Sequence, residues 1–400
     1  MVSPTKKRLL VTLLTNACRV LLAIVFMVSG FVKAVDPMGF FYKLSEYATV
    51  FGLSVEPVWL QTVALLLACA EFLLGLFLLT GVCRLLSSWV AFLVMLFYTP
   101  FTLYIALENP VPDCGCFGDV LLLTNWETFI KNLLLLLLAV PVCFKYSLIK
   151  RRITATNRWM VVLFGLLYIG LAGGISASHL PVIDFRPFAI GTDLRQAVAA
   201  DASAGGAVIN DFSFINLATD EDVASDILDN PGHVVLLVAP SLETADENRV
   251  DKVNDLYDFC KANDISFYAV TSSGEEAMEL WCKRTGAEYP LYWADDVMLK
   301  TMIRANPGVV LVRNGVVAEK WNAADVPVSD DMTVAGFVNG KRVGYVAVMR
   351  GLRFWLFFFA IPMGFILFAD IISGTVARIA SRRKGSKGDD AASDKNRENK

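Results

Sequence analysis

Two cysteines separated by a single glycine, Cys114-Gly115-Cys116, are the residues of this 400-residue chain whose types and spacing most directly suggest chemistry. Such a pair can close a very small, strained disulfide ring, and strained disulfides tend to be the labile, oxidising ones. Gly115 supplies the backbone freedom that the ring demands. Two other readings stay open. The sulfurs could be half of a metal site, although zinc takes four ligands and the chain holds only two histidines. Alternatively, the run Val111-Pro112-Asp113-Cys114-Gly115-Cys116-Phe117-Gly118-Asp119 is a tight turn that holds two small apolar side chains. No metal site is assigned.

A second chemical feature is Glu71, inside the apolar run Ala68-Cys69-Ala70-Glu71-Phe72-Leu73-Leu74-Gly75. A carboxylate within a membrane helix costs several kcal/mol on some estimates, so it is expected to be neutral, paired or turned to a cavity. Lys33 and Lys131 are candidate partners. Glu71 could carry a proton beside the dithiol or simply fix the helices. Cys18, Cys69, Cys83 and Cys143 lie in or at the ends of apolar helices as ordinary small hydrophobes. Cys260 and Cys282 read as core residues, with a structural disulfide the alternative. His179 and His233 stand alone at element boundaries, where hydrogen bonding is the usual role. No phosphate-binding glycine loop or Ser-His-Asp pattern appears.

The elements that must position these residues follow from composition. The chain is 55% hydrophobic and 19% charged, below the roughly 25% charge of soluble domains. This excludes a disordered chain and a cytosolic enzyme, and a net charge of −3 argues against nucleic-acid binding. Six runs are long enough to span the bilayer, at about 17–35, 59–80, 85–107, 126–148, 158–178 and 352–376. Arg19 is expected to snorkel from the first. Lys6, Lys7 and Arg8, then Arg84, then Lys145 to Arg158, then Arg378 to Lys384 all fall on one side. The positive-inside rule therefore makes both termini cytoplasmic and residues 179–350 external. Residues 179–346 carry 26 Asp+Glu against 13 Lys+Arg, an acidic block inserted in a basic, apolar protein. The polar tail 378–400 is expected to be disordered, and residues 1–16 form a cytoplasmic N-terminus.

Residues 17–148 resemble the DoxX/MauE family of four-helix membrane proteins. The matching residues are Ser29-Gly30-Phe31-Val32-Lys33 with Asp36-Pro37, Glu71-x-x-x-Gly75 leading to Gly81, and Cys114-Gly115-Cys116-Phe117-Gly118 followed by Trp126 and Lys131-Asn132. The resemblance implies a four-helix bundle tied to thiol or disulfide metabolism at the bacterial plasma membrane, alongside a thioredoxin-like partner. Lys33, Gly75 and Lys131 take structural roles in this reading. A cytoplasmic loop and fifth helix cover 149–178, and a sixth helix 351–377.

In the inserted domain, with its core at about 209–325, strand and helix signals alternate. Val234–Ala239 reads as a buried parallel strand, and a helix from Glu243 to Asn263 follows. Ile265–Val270 is the next strand. Ser273-x-x-Glu276 is a capping box. Asn314-Gly315 turns a hairpin after Asn306-Pro307-Gly308. This order resembles a thioredoxin-like fold, with Pro307 at the position of the family's cis-proline. Ser241-Leu242-Glu243-Thr244 stands where that family carries Cys-x-x-Cys, and hydroxyls cannot cycle through a disulfide. Ser241, Thr244 and Pro307 are thus a degenerate site that could still bind a peptide.

The expected fold is a six-helix all-α membrane bundle with an inserted α/β domain. The expected function is thiol–disulfide exchange at the external membrane face, as a component of an oxidoreductase system, through Cys114 and Cys116 with Glu71 balancing protons. The alternative is a non-catalytic scaffold whose degenerate domain holds a partner; solute transport resting on Glu71 alone is a third reading. Expected partners are the lipid bilayer and a thioredoxin-like or Cys-containing envelope protein. No bound cofactor is evident, and a membrane quinone or a separate thioredoxin-like protein could carry the electrons.

Overall fold

A computed structural model of the chain describes residues 4–121, 123–199, 208–209, 211–327, 333–339 and 351–398. Residues 200–207 and 340–350, which the sequence assigns to the inserted domain, lie outside the described residues, as do 1–3 and 399–400 at the ends.

The N-terminal part comprises α1 (Pro4–Val35), α2 (Pro37–Val50), α3 (Pro57–Thr80), α4 (Arg84–Glu108), α5 (Asn125–Phe144) and α6 (Arg158–Ser178). All but α2 are long and apolar enough to cross a membrane. Helix α1 begins well before the expected residue 17, because Leu9, Leu10, Val11, Leu13 and Leu14 continue its apolar pattern. Helix α2 was not expected. At 14 residues it is too short to span, but Asp36 accepts from Gly39 N and Pro37 occupies the first turn, which stops α1 and starts a new helix. Arg19 does not snorkel: it is buried, and its guanidinium donates to Lys150 O at 3.2 Å, tying the loop before α6 beneath α1.

Two glycines bring α1 and α3 together. A side-chain carbon at Gly30 would lie 2.4 Å from Phe72 N, and one at Gly75 would lie 2.6 Å from Met27 N. Any larger residue would push the backbones apart, as at small-residue contacts between membrane helices generally. This contact sets Lys33 of α1 against Glu71 of α3.

The separate sheet domain contains α7 (Leu194–Ala199), β1 (Ile215–Asn216), β2 (Glu221–Asp222), α8 (Ala224–Leu228), β3 (His233–Ala239), α9 (Val250–Ala262), β4 (Ser266–Thr271), α10 (Glu275–Thr285), β5 (Leu291–Trp293), α11 (Asp296–Met302), β6 (Gly308–Arg313), β7 (Val316–Asn322) and α12 (Val334–Asn339). The strand order is β2-β1-β5-β4-β3-β6-β7. Strands β3, β4 and β5 are parallel, and β6 and β7 are antiparallel to their neighbours. Strand β3 is buried on both faces. Val234, Leu236 and Val238 join one core, and Val235, Leu237 and Ala239 join the other. That two-sided burial explains its continuous apolar run. The Asn306–Pro307 bond is cis.

Two local expectations change. The helix drawn from Glu243 begins only at Val250, after a 3₁₀ turn at Glu247–Arg249. Ser273 does not cap α10, whose N-cap is Gly274; its hydroxyl is turned inward to Leu242 N and Glu243 instead. Cys260 is buried in the core, and both it and Cys282 are free thiols.

A final helix, α13 (Leu352–Glu398), packs on α6, where Tyr168 donates to Trp355 O and Asp370 accepts from Thr154 and Asn157. It runs on through the tail that the sequence marks as disordered. A helix already nucleated in the membrane adds residues without a new nucleation cost.

Candidate functional site

The loop joining α4 to α5 carries the cysteine pair. Asn125, in the first turn of α5, donates to Asn109 Oδ1 and Val111 O and so pins both ends of the loop. Asp113 accepts from Gly115 N at 2.8 Å, and Lys43 of α2 holds the other Asp113 oxygen at 2.7 Å. Gly115 has φ +67°, and a side-chain carbon there would lie 2.8 Å from Lys43 Cγ. Conformation and space therefore both require glycine between the two sulfurs.

The Cys114 and Cys116 sulfurs lie 3.0 Å apart as free thiols. Cys116 is the more acidic. A hydrogen bond from the Cys114 thiol holds its pKa below the ordinary thiol range against the cost of burial, aided by the charges of Lys131 and Lys33. The same hydrogen bond, reinforced by burial, pushes the Cys114 thiol up. Of the two, Cys116 is the one whose surroundings favour the thiolate.

Beneath the loop, Lys33 donates to both Glu71 oxygens, at 2.7 and 2.8 Å. Lys33 is only 6% exposed and Glu71 14%, so the pair is largely shielded from solvent. The sequence left Lys33 and Lys131 as alternative partners for Glu71. The structure pairs Lys33 and sets Lys131 over the Phe117 ring at 4.6 Å. Ser29 Oγ lies 2.8 Å from Glu71 Oε2 and 2.8 Å from Cys116 O. A hydroxyl has one proton to give, so it serves one acceptor at a time. The carboxyl and the thiol loop are thus linked by one shared hydrogen bond.

Cys114, Cys116, Glu71, Lys33 and Lys131 line one cavity of about 270 Å³. Gly75 does not reach it and acts through the α1–α3 contact. Aromatic residues that sequence reasoning did not single out complete the walls, among them Phe40 and Tyr47 of α2 and Phe97, Tyr98 and Phe101 of α4. The Asp36-Pro37 start was the available signal for α2. Nothing in sequence marked the α4 rings.

A second, more polar cleft of about 520 Å³ lies between α2, the cysteine loop and the sheet domain, and Gly115 and Lys33 are in its wall. Arg304, two residues past the end of α11, lies in its wall. Its guanidinium binds Asp36 at 2.9 Å and Asp119, on the cysteine loop, at 2.7 Å. Burial alone would raise the Asp36 carboxyl, but Arg304 and Arg186 hold it below its usual range. Behind this clamp, Asp184 joins Arg186 and Lys320 at 2.8 Å each. Burial depresses the Lys320 ammonium to about 8 despite Asp184.

The Ser241–Thr244 loop is placed differently. Ser241 and Ser273 donate to Glu243 Oε2 at 2.9 and 2.6 Å, Thr244 donates to Ser241, and Asn306 donates to Ser241 O. These hydroxyls are committed to one another and to a carboxylate. Among the described residues, Ser241, Thr244 and Pro307 line neither the cavity nor the cleft.

Residues 11–145 match the model of the family described as methylamine utilisation protein MauE. This segment is similar to the MauE membrane family. It spans α1 to α5 and contains Ser29, Lys33, Glu71, Gly75, Cys114, Cys116 and Lys131. No curated protein matches the chain. Among solved structures, the chain is similar to a solution structure of a candidate protein disulfide isomerase from Bacteroides thetaiotaomicron, over 28% of this chain and 74% of that one, at 20% identity and a TM-score of 0.23.

Proposed function

We propose that this MauE-type protein oxidises thiols of envelope proteins at the external face of the bacterial plasma membrane, with Cys114–Cys116 as the exchanging pair. The observation that carries the reading is the 3.0 Å approach of the two sulfurs above the buried Lys33–Glu71 pair, with their acidities driven apart. Starting from the disulfide, a client thiolate attacks the Cys114 sulfur and the S–S bond breaks. Cys116 leaves as the thiolate, since the more acidic thiol is the better leaving group. A second client thiolate then attacks the client sulfur of the mixed disulfide and releases Cys114, which takes up a proton. The client has lost two electrons and the pair has gained them. Glu71, through Ser29, supplies a proton reservoir next to Cys116.

Lys and Arg placement supports cytoplasmic termini, and hence an external sheet domain and cysteine loop. The parallel β3-β4-β5 core and the β6–β7 hairpin favour a thioredoxin-like reading of that domain, with Ser241–Thr244 in place of a dithiol. In this role it carries no electrons and holds the client beside the polar cleft, anchored by Arg304.

The test is oxidation of a dithiol peptide by the purified full-length protein. Cys114→Ser and Cys116→Ser are each expected to abolish it, and Ser241→Ala to leave it intact. Equal effects of all three substitutions would overturn the assignment and favour a scaffold.

A further inference from the structure

The thiol-oxidation reading leaves the pair reduced, and its electrons need a destination. Among the described residues, neither the cavity nor the cleft is lined by any further cysteine. The polar cleft reaches the loop at Pro112, Asp113, Gly115, Gly118, Asp119 and Val120 but at neither cysteine, whereas both sulfur-bearing residues line the apolar cavity. That cavity opens sideways: Phe97 and Leu67 are in its wall yet are 67% and 37% exposed on the apolar helix surface, where lipid lies. Its volume of about 270 Å³ is close to the lower end, roughly 300 Å³, of small-molecule sites. Flat rings from Phe40, Phe97, Tyr98 and Phe101 surround it, and Lys33 and Lys131 bring ammonium groups to its inner end.

We infer that this cavity is a binding site for the head group of a lipid-soluble quinone, which reoxidises the Cys114–Cys116 pair. The inference rests on the thiol-oxidation reading. The chemistry required is a two-electron, two-proton acceptor that reaches the sulfurs from the lipid side, and an apolar ring bearing two carbonyl oxygens meets it. The Cys116 thiolate bonds to a quinone ring carbon, and the carbonyl oxygen that gains charge takes a proton from the Lys33–Glu71 pair. Cys114 gives up its proton and attacks Cys116 Sγ. The carbon–sulfur bond breaks with its electron pair passing to the ring, and the second oxygen takes the Cys114 proton. The products are the Cys114–Cys116 disulfide and the hydroquinone. The pair has lost two electrons and the quinone has gained them. Proton uptake from bulk water restores the Lys33–Glu71 pair.

The experiment uses the full-length protein in lipid nanodiscs, reduced, freed of reductant and kept without oxygen. One portion receives decyl-ubiquinone, a second menadione, and a third oxidised glutathione; thiol state is read by the mass shift on alkylation. An azido-substituted quinone is photo-crosslinked in parallel and its attachment mapped by peptide mass. The expected result is disulfide formation with at least one quinone and crosslinks in α4 near 97–101 or in the cysteine loop. Phe101→Trp, which fills the cavity, is expected to slow quinone-driven oxidation at least tenfold and to remove the crosslink. Oxidation by glutathione disulfide with none by either quinone would overturn the quinone site and leave thiol exchange standing. No oxidation by any of the three would overturn thiol exchange itself. Crosslinks confined to residues outside the cavity wall would overturn the placement.

Discussion

The cysteine loop and the Ser241–Thr244 loop are both short turns carrying two small polar side chains, but their surroundings have opposite electrical sense. Under Cys116 lie two ammonium groups, and a neighbouring thiol donates to it. Between Ser241 and Ser273 lies the carboxylate of Glu243, which accepts from both hydroxyls and is held below its usual range first by the Ser273 hydrogen bond. At Cys116 the two ammonium groups act against the Glu71 carboxylate and favour an added negative charge, whereas between Ser241 and Ser273 the charge already sits on Glu243. The electrostatic field, as much as the atom that titrates, separates a reactive turn from an inert one.

The largest effect expected from this contrast is on exchange. Cys116→Ser should reduce dithiol oxidation to background, while Ser241→Ala stays within about twofold, read as the rate of peptide disulfide formation. The next test concerns the buried ion pair. Lys33→Met strands Glu71, a change that typically costs about 3–5 kcal/mol when one partner of a buried pair is removed. Thermal unfolding in detergent should fall sharply for Lys33→Met and recover in Lys33→Met/Glu71→Gln; no recovery would mean that the two are not coupled. Arg304→Ala removes the clamp to Asp36 and Asp119 and leaves two carboxylates facing each other. Limited proteolysis between α6 and β1 should accelerate several-fold, and unchanged cleavage would argue that the sheet domain is held by other contacts.

Smaller effects concern pH. Because Cys116 is depressed, its thiolate forms below the ordinary thiol value of about 8.5, so alkylation should already be fast at neutral pH. Removing its donor with Cys114→Ala should move that midpoint upward, and Lys131→Met should move it upward by less. The smallest and most discriminating change is Ser241→Cys/Thr244→Cys. Beside Glu243 the new thiol at 241 should titrate above the ordinary value and alkylate slowly at neutral pH. A low-pKa thiol there would break the contrast.

Much of the architecture was legible because it rests on apolar periodicity. The spanning helices and the strands at 233–239, 266–271 and 316–322 follow from local runs. The site was only half legible. Cys114, Cys116 and Glu71 announce themselves by type, but the Lys33–Glu71 pairing depends on the backbone contact at Gly30 and Gly75, a distance that no spacing rule gives. Arg304 was invisible because its partners lie 268 and 185 residues away. Ser273 was misread as a cap because its inward turn depends on Leu242 and Glu243, thirty or so residues earlier. Helix α2 escaped because it is shorter than a span, although Asp36-Pro37 marked its start.

The most direct test of the central claim is the redox state of Cys114 and Cys116 in native membranes. Thiols would be trapped with a membrane-impermeant alkylator before and after mild reduction, and labelled sites assigned by peptide mass. The expected result is a disulfide that opens on reduction, labels from the outer face and re-forms when the reductant is removed. Thiols that stay reduced, or that label only from the cytoplasmic side, would contradict it.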